Sequence, residues 1–294
     1  MYSLNNKNGS IQPDFPQKNH FTNVILNNDQ ITHAHPTNPS ESAGQCVNGS
    51  RFKNQILAKL PHEDLARLSP NMEPVMLSHR ESLHGVENGD CFIYFPQGAV
   101  VSQIYVLKDG NTAEVALVGS EGMVGLDFLF NSYTPDRWAC VALAGSALRM
   151  RAKDFKKEFE RSSVLQQSLL DYAGDYMEQV SQRAVCNSQH RIEERFASWL
   201  AMMHDRAGRD LLFLTQEQIA YRLGTRRSSI TLAATALQDQ HIISYVRGRI
   251  FILDRPALER AACECYRAIG KRKGGRIQPD AGPTPTASRP VSLV

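Results

Sequence analysis

Residues 214–244, LTQEQIAYRLGTRRSSITLAATALQDQHIIS, constrain the fold more than any other part of the chain. Thr215 suits the start of a helix, and Gln218 three residues later can complete a capping box. Ile219 and Leu223 stand four apart and share one face of that helix. Gly224 is placed to end it, because glycine accepts a left-handed exit. Thr225 is the expected cap of a second helix, with Ile230, Ala233, Ala234 and Leu237 as its buried stripe. The two small alanines let the helices approach closely. The pattern predicts two short helices packed around a tight turn.

The outward face of the second helix carries Ser228, Thr231, Leu232 and Thr235, with Arg226 and Arg227 in its first turn. Arginine is poorly placed there for the helix dipole, which favours anions at that end. Accepting that cost suggests an external anion, and a phosphate or a guanine edge would serve. Next, Ile242, Ile243 and Tyr245, then Ile250, Phe251 and Ile252, flank Val246-Arg247-Gly248-Arg249. That reads as a hairpin with a basic tip, although Arg-Gly leaves the turn type open. Helix, turn, helix and hairpin make a winged helix-turn-helix, which places its second helix in the DNA major groove. Arg226, Arg227, Ser228 and Thr231 are expected on bases, and Thr225, Ser229, Arg247 and Arg249 on phosphates. Thr215 and Gln216, opening the first helix, complete the expected DNA-binding set. The bland alternative is an ordinary helical hairpin with solvated arginines.

With 294 residues and a net charge of only +3, there is room for about two domains, and any basic surface must be local. Between residues 205 and 260 there are nine arginines, no lysine and six acids, so arrangement rather than total charge has to favour nucleic acid. No apolar run reaches bilayer length, and the first residues lack a basic-then-apolar signal pattern. The six cysteines are dispersed in a chain too long to need disulfide staples. A cytoplasmic, reducing location away from membranes is expected.

Residues 1–50 read as a disordered polar tail, in which His33 and His35 form a pair without further ligands. Residues 51–160 begin with short helices around Pro61. They continue as β-type runs at 92–95, 100–107 and 112–118, with one or two more strands between Arg137 and Met150. This predicts a jelly-roll or barrel. Helical character starts near Lys153. Over 161–186, Leu165, Leu169, Tyr172 or Ala173, Tyr176, Val180 and Ala184 form an apolar stripe. The stripe can be a coiled-coil-like dimer seam or can pack on the β-unit. Dimerisation is the preferred reading, since it pairs two helix-turn-helix units on a palindrome. A helix from Ile192 to His204 opens the winged unit, 187–269. Residues 270–294 read as a disordered basic and Pro-rich tail. The expected fold class is α+β.

This order, and above all the segment from Leu214 to Asp254, resembles the Crp/Fnr family of transcription regulators. The glycines of the β-unit (Gly89, Gly98, Gly110, Gly122 and Gly125) resemble it more weakly. The resemblance implies a cyclic-nucleotide-binding-like sensor roll, a dimerisation helix, a homodimer on palindromic double-stranded DNA, and surface contacts to RNA polymerase. Its phosphate pocket uses a Gly-Glu-Leu step and an Arg-Ser or Arg-Thr pair. The corresponding effector-pocket residues here are Gly125, Leu126, Arg137 and Trp138. Leu126 replaces the acid that meets the ribose hydroxyl, and Trp138 offers no hydroxyl. Cyclic AMP is therefore not expected to bind in the usual way.

An iron–sulfur cluster is not expected, because only Cys46 precedes the β-unit and about four thiolates are needed. Haem is not expected from a lone His79 or His84. Cys263 and Cys265 read as small packing residues rather than a redox switch, and no metal site is expected. No catalytic constellation is legible; His62-Glu63-Asp64 follows Pro61 at a helix start, where acids are favoured. The alternative function is a small-molecule-sensing signalling protein whose winged helix binds protein.

Overall fold

Short β-type runs between turns make strands of most of residues 73–151. In the computed structural model the described residues are 52–270, apart from 84–85, 88–89 and 131–136. The expectations for both tails, with His33, His35 and Cys46, lie outside the described residues, as do His84 and Gly89. Two short helices, α1 (Gln55–Ala58) and α2 (His62–Leu68), precede β1 (Glu73–Leu77). Then come β2 (Val86–Glu87), β3 (Asp90–Pro96), β4 (Val100–Val106), β5 (Thr112–Val118), β6 (Arg137–Leu143) and β7 (Gly145–Arg151). They form two antiparallel sheets, ordered β1-β7-β3-β2 and β5-β4-β6. Leu77, Tyr94 and Ala147 of the first sheet share a core with Val101, Val118 and Val141 of the second. Ala144 separates β6 from β7, which Gly145 opens, so the 137–150 run is two strands. A Cβ on Gly145 would lie 2.5 Å from the backbone of Gly98 and Ala99, so only glycine fits.

The roll is followed by α3 (Ala152–Arg161), α4 (Ser163–Gln189) and α5 (Ile192–Ala207). Ser162 caps α4 by accepting the Leu165 N–H at 3.0 Å. Leu165, Leu169 and Tyr172 do not form an open seam. They are buried against the roll with Ile93, Phe95 and Phe155, because burial within the same chain needs no second molecule. The exposed apolar side chains of α4 are different ones, including Leu170 and Met177, 58% and 68% accessible.

The remaining elements are β8 (Leu211–Phe213), α6 (Gln216–Leu223), α7 (Arg227–Asp239), β9 (Ile243–Val246), β10 (Arg249–Ile252), α8 (Arg255–Ala261) and α9 (Glu264–Gly270). The expected hairpin gains a third strand, in the order β8-β10-β9. Phe196, Trp199, Leu200, Ile219, Ile230, Ala233 and Leu237 are the heart of this half. Val100, Leu117, Ala142 and Leu143 of the roll belong to the same cluster. The hydrophobic core thus runs without a break from the roll into the winged unit.

Candidate nucleic-acid interface and its support

The start of α6 is held reciprocally. Thr215 Oγ1 accepts from the Gln218 N–H at 3.2 Å, and Gln218 Oε1 accepts from the Thr215 N–H at 3.0 Å. Gly224 closes the helix with φ +59°. The second helix starts one residue later than expected: Arg226, not Thr225, occupies the cap position, and no side chain caps it. Thr225 instead spends its N–H on the Ala220 carbonyl at 3.0 Å, inside the turn. An uncapped helix start keeps N–H groups and a positive dipole end available to an anion.

Arg226, Arg227, Ser228, Thr231, Leu232 and Thr235 are exposed, whereas Ser229 is half-buried. Thr231 Oγ1 donates to Gln216 Oε1 at 2.8 Å, which ties two of the expected contact residues across the helix pair. Arg247 and Gly248 both have positive φ, 49° and 76°. That is the type I′ pattern, whose twist suits a two-residue hairpin. It sets Arg247 and Arg249 on an exposed tip. None of Arg226, Arg227, Arg247 and Arg249 is in an ion pair among the described residues.

Three other arginines of this half, Arg206, Arg222 and Arg255, behave differently. Arg206 pairs with Glu121 at 2.6 Å and Arg255 with Asp205 at 2.8 Å. Arg222 is buried and donates to Ser102 Oγ at 3.2 Å. Arg226, Arg227, Arg247 and Arg249 are thus exposed and without ion pairs among the described residues, whereas Arg206, Arg222 and Arg255 serve as braces.

The braces converge on Glu114, a side chain that sequence reasoning missed. Glu114 lies on β5 and is 1% exposed. Its Oε1 accepts from Trp199 Nε1 at 2.7 Å and from Arg183 Nη2 at 3.2 Å. Its Oε2 accepts from Ser102 Oγ and faces Arg222 Nε at 3.8 Å. One buried carboxylate thus connects the roll, α4, α5 and α6. Isolated acids in a strand give no linear sign of such a role. His79 adds a second brace. Its ring faces the Ala142 carbonyl through Nδ1 at 2.9 Å and Gln218 Nε2 through Nε2 at 3.1 Å. The Gln218 carbonyl is already engaged by Thr215, so its amide N–H donates to Nε2 and the ring donates from Nδ1. Burial, then Arg222, holds the imidazole below its usual pKa. Both nitrogens are used, so His79 braces the helix-turn-helix against the roll.

The expected effector residues are only partly brought together. Gly125 and Arg137 line a small cavity with Phe92, Gln103 and Asp127. Leu126 turns to the roll's other core, and Trp138 is not among the lining residues. Gly125 has φ +97°, and a Cβ there would meet Ile93 Cγ2 at 2.9 Å. Arg137 Nη2 pairs with Asp127 Oδ2 at 2.9 Å. The cavity holds about 20 Å³, room for about one water.

Residues 194–261 match the Crp-like helix-turn-helix domain family. No curated protein matches the chain. Among solved structures, one assigned to the Crp/Fnr regulators of Eubacterium rectale aligns with a TM-score of 0.56 at 18% identity, covering 70% of this chain and 97% of that one. FixK2 from Bradyrhizobium japonicum aligns at 0.54 and 17% identity, covering 65% and 98%. A CRP/FNR regulator from Thermus thermophilus aligns at 0.53 and 20% identity, covering 65% and 98%. Each likeness covers nearly the whole of the other chain. The chain thus shares the fold of these structures, a β-roll followed by a Crp-like helix-turn-helix domain at residues 194–261.

Proposed function

We propose that the chain regulates transcription as a homodimer that reads a palindromic DNA site. The observation that carries this reading is the free basic face. An uncapped helix start, Arg226 and Arg227, and the wing arginines Arg247 and Arg249 are exposed together, without ion-pair partners among the described residues. Arg226, Arg227, Ser228 and Thr231 reach base edges, and exposed Leu232 can meet a thymine methyl. Thr225, Ser229, Arg247 and Arg249 hold phosphates, with Thr215 and Gln216 positioning the first helix on the backbone. This face favours DNA over a protein partner.

Dimerisation uses the exposed side of α4. Leu170, Met177 and Ala184 recur every seven residues, with Ala173 and Val180 between them, the repeat of a two-stranded seam. Two-fold symmetry then sets half-sites about one helical turn, ~10 bp, apart. Contact with RNA polymerase follows at an occupied promoter. Cyclic AMP in the usual mode does not drive the switch: the small cavity and the Arg137–Asp127 pair support this.

Selection of bound fragments from genomic DNA tests the reading and returns the operator. Binding to that operator should fall steeply with salt, as counterion release requires. Failure to retain any duplex at low ionic strength would sink the proposal. Titration calorimetry showing tight cyclic AMP binding would sink the effector part alone.

A further inference from the structure

Cys186 and His190 stand four apart at the end of α4, on one face of the helix. Cys263 and Cys265 bracket the first residue of α9. Because Cys263 precedes the helix, the two sulfurs do not diverge as they would within a continuous helix. Both turn toward α4. One ligand atom from each of the four residues lies within 4.8 Å of all the others. The sulfurs of Cys186 and Cys263 are 3.6 Å apart, and Cys265 Sγ is 3.5 Å from His190 Nδ1. All three cysteines are buried.

These spacings have a chemical meaning. Tetrahedral zinc with bonds of about 2.3 Å to sulfur and about 2.0 Å to nitrogen sets S···S edges of about 3.8 Å and S···N edges of about 3.5 Å. A disulfide would need about 2.05 Å between sulfurs. A multi-iron cluster needs room for bridging sulfides between its metals, which so tight a set of ligands does not leave.

The surroundings are those of a supported site. His190 presents its other nitrogen, Nε2, to Glu264 Oε2 at 3.2 Å, the carboxylate–histidine arrangement that orients an imidazole toward a metal. Gln182 Nε2 donates to Cys265 Sγ at 3.1 Å. Ser198 Oγ lies 3.0 Å from Cys263 Sγ and accepts the Cys263 N–H at 3.0 Å. Arg183 and Arg195 are close enough to act electrostatically on Cys186 and offset surplus thiolate charge.

We propose that Cys186, His190, Cys263 and Cys265 form a Cys3His site for one divalent cation of the zinc class. On binding, three thiols release their protons and His190 gives the Nδ1 lone pair. The site sits at a junction, since His190 follows α4 and Ile192 begins α5. All four ligands lie outside the helix-turn-helix match, two before residue 194 and two after residue 261. The ion would join the end of the long helix to α9 and stiffen the link between roll and DNA-binding unit. The site stands whether or not the chain binds DNA.

The test uses the full chain, purified anaerobically under reducing conditions with zinc and then dialysed. Elemental analysis should find about one zinc per chain. Cobalt in its place should show intense tetrahedral visible bands and thiolate-to-cobalt charge transfer. The double variant Cys186→Ser, Cys263→Ser should lose more than tenfold of the bound metal, while Cys140→Ser keeps it. Alkylation of the unmutated chain guards against misfolding of the variant: the buried thiols should react at least tenfold more slowly with zinc than after chelation. Folded chain that takes up neither metal stoichiometrically, or an anaerobic preparation in which Cys186 and Cys263 are disulfide-linked, overturns the proposal.

Discussion

At the scale of single residues, position along the helix-turn-helix separates reading from bracing. Arg227 is exposed at the start of α7, while Arg222, five residues earlier, is buried. Arg227→Ala should cost about 1–3 kcal/mol on the selected operator and relax preference at one base pair. Equal loss on operator and random duplex, measured by anisotropy titration, would make it a phosphate contact only. His79 makes a pH prediction. Its folded pKa is lowered by burial, so the unfolded chain binds the proton more readily. The contribution of the brace is complete above the usual imidazole value of about 6.5 and is lost as pH falls from there through the folded value. Protonation would also set a second N–H against the Gln218 amide. Denaturant midpoints between pH 7.5 and 5.5 should fall more for the natural chain than for His79→Gln.

At the scale of elements, the local code was legible where it closes on itself. The Thr215–Gln218 box, the left-handed Gly224 and the Ile230–Leu237 stripe needed only neighbours within one or two turns. The next cap was misplaced by one residue, because Thr225 and Arg226 both permit a helix start and the path of the turn decided between them. Thr215→Ala should therefore cost about 1 kcal/mol in thermal or chemical unfolding. Thr225→Ala should cost only a few tenths, since its hydroxyl caps nothing; equal costs would restore Thr225 as the cap. The stripe of α4 illustrates a different limit. Periodicity located an apolar face but could not say whether the same chain or a second one would cover it. Met177→Glu, on the exposed side, should convert dimer to monomer in sedimentation with little change in monomer stability. Leu169→Ala, on the covered side, should cost about 2–5 kcal/mol instead.

At the scale of the whole molecule, the roll and the helix-turn-helix share a core and one buried charge cluster. Removing Glu114 leaves Arg183 and Arg222 buried without their carboxylate, and an uncompensated buried charge is strongly destabilising. Glu114→Ala should cost about 3–5 kcal/mol and expose Trp199, seen as a red shift of its emission. A loss below about 1 kcal/mol, the value of a surface pair, would show that the cluster is not a structural link. Coupling of this kind offers a route by which a change in the roll alters the presentation of α7.

The sequence by itself determined the elements whose cause is short-range: helix periods, the Thr215–Gln218 cap, the place of the Arg-Gly turn and the basic residues of α7 and the wing. It also determined the order of roll, long helix and winged unit, because each has its own hydrophobic period. Tertiary structure alone decided which arginines are free and which are buried, which side of α4 is covered, and that Glu114 is a hub. It likewise brought Cys186 and His190 to Cys263 and Cys265, more than seventy residues away along the chain. Burial, charge pairing and ligand geometry arise between segments distant in sequence, and no local pattern encodes which distant partner arrives.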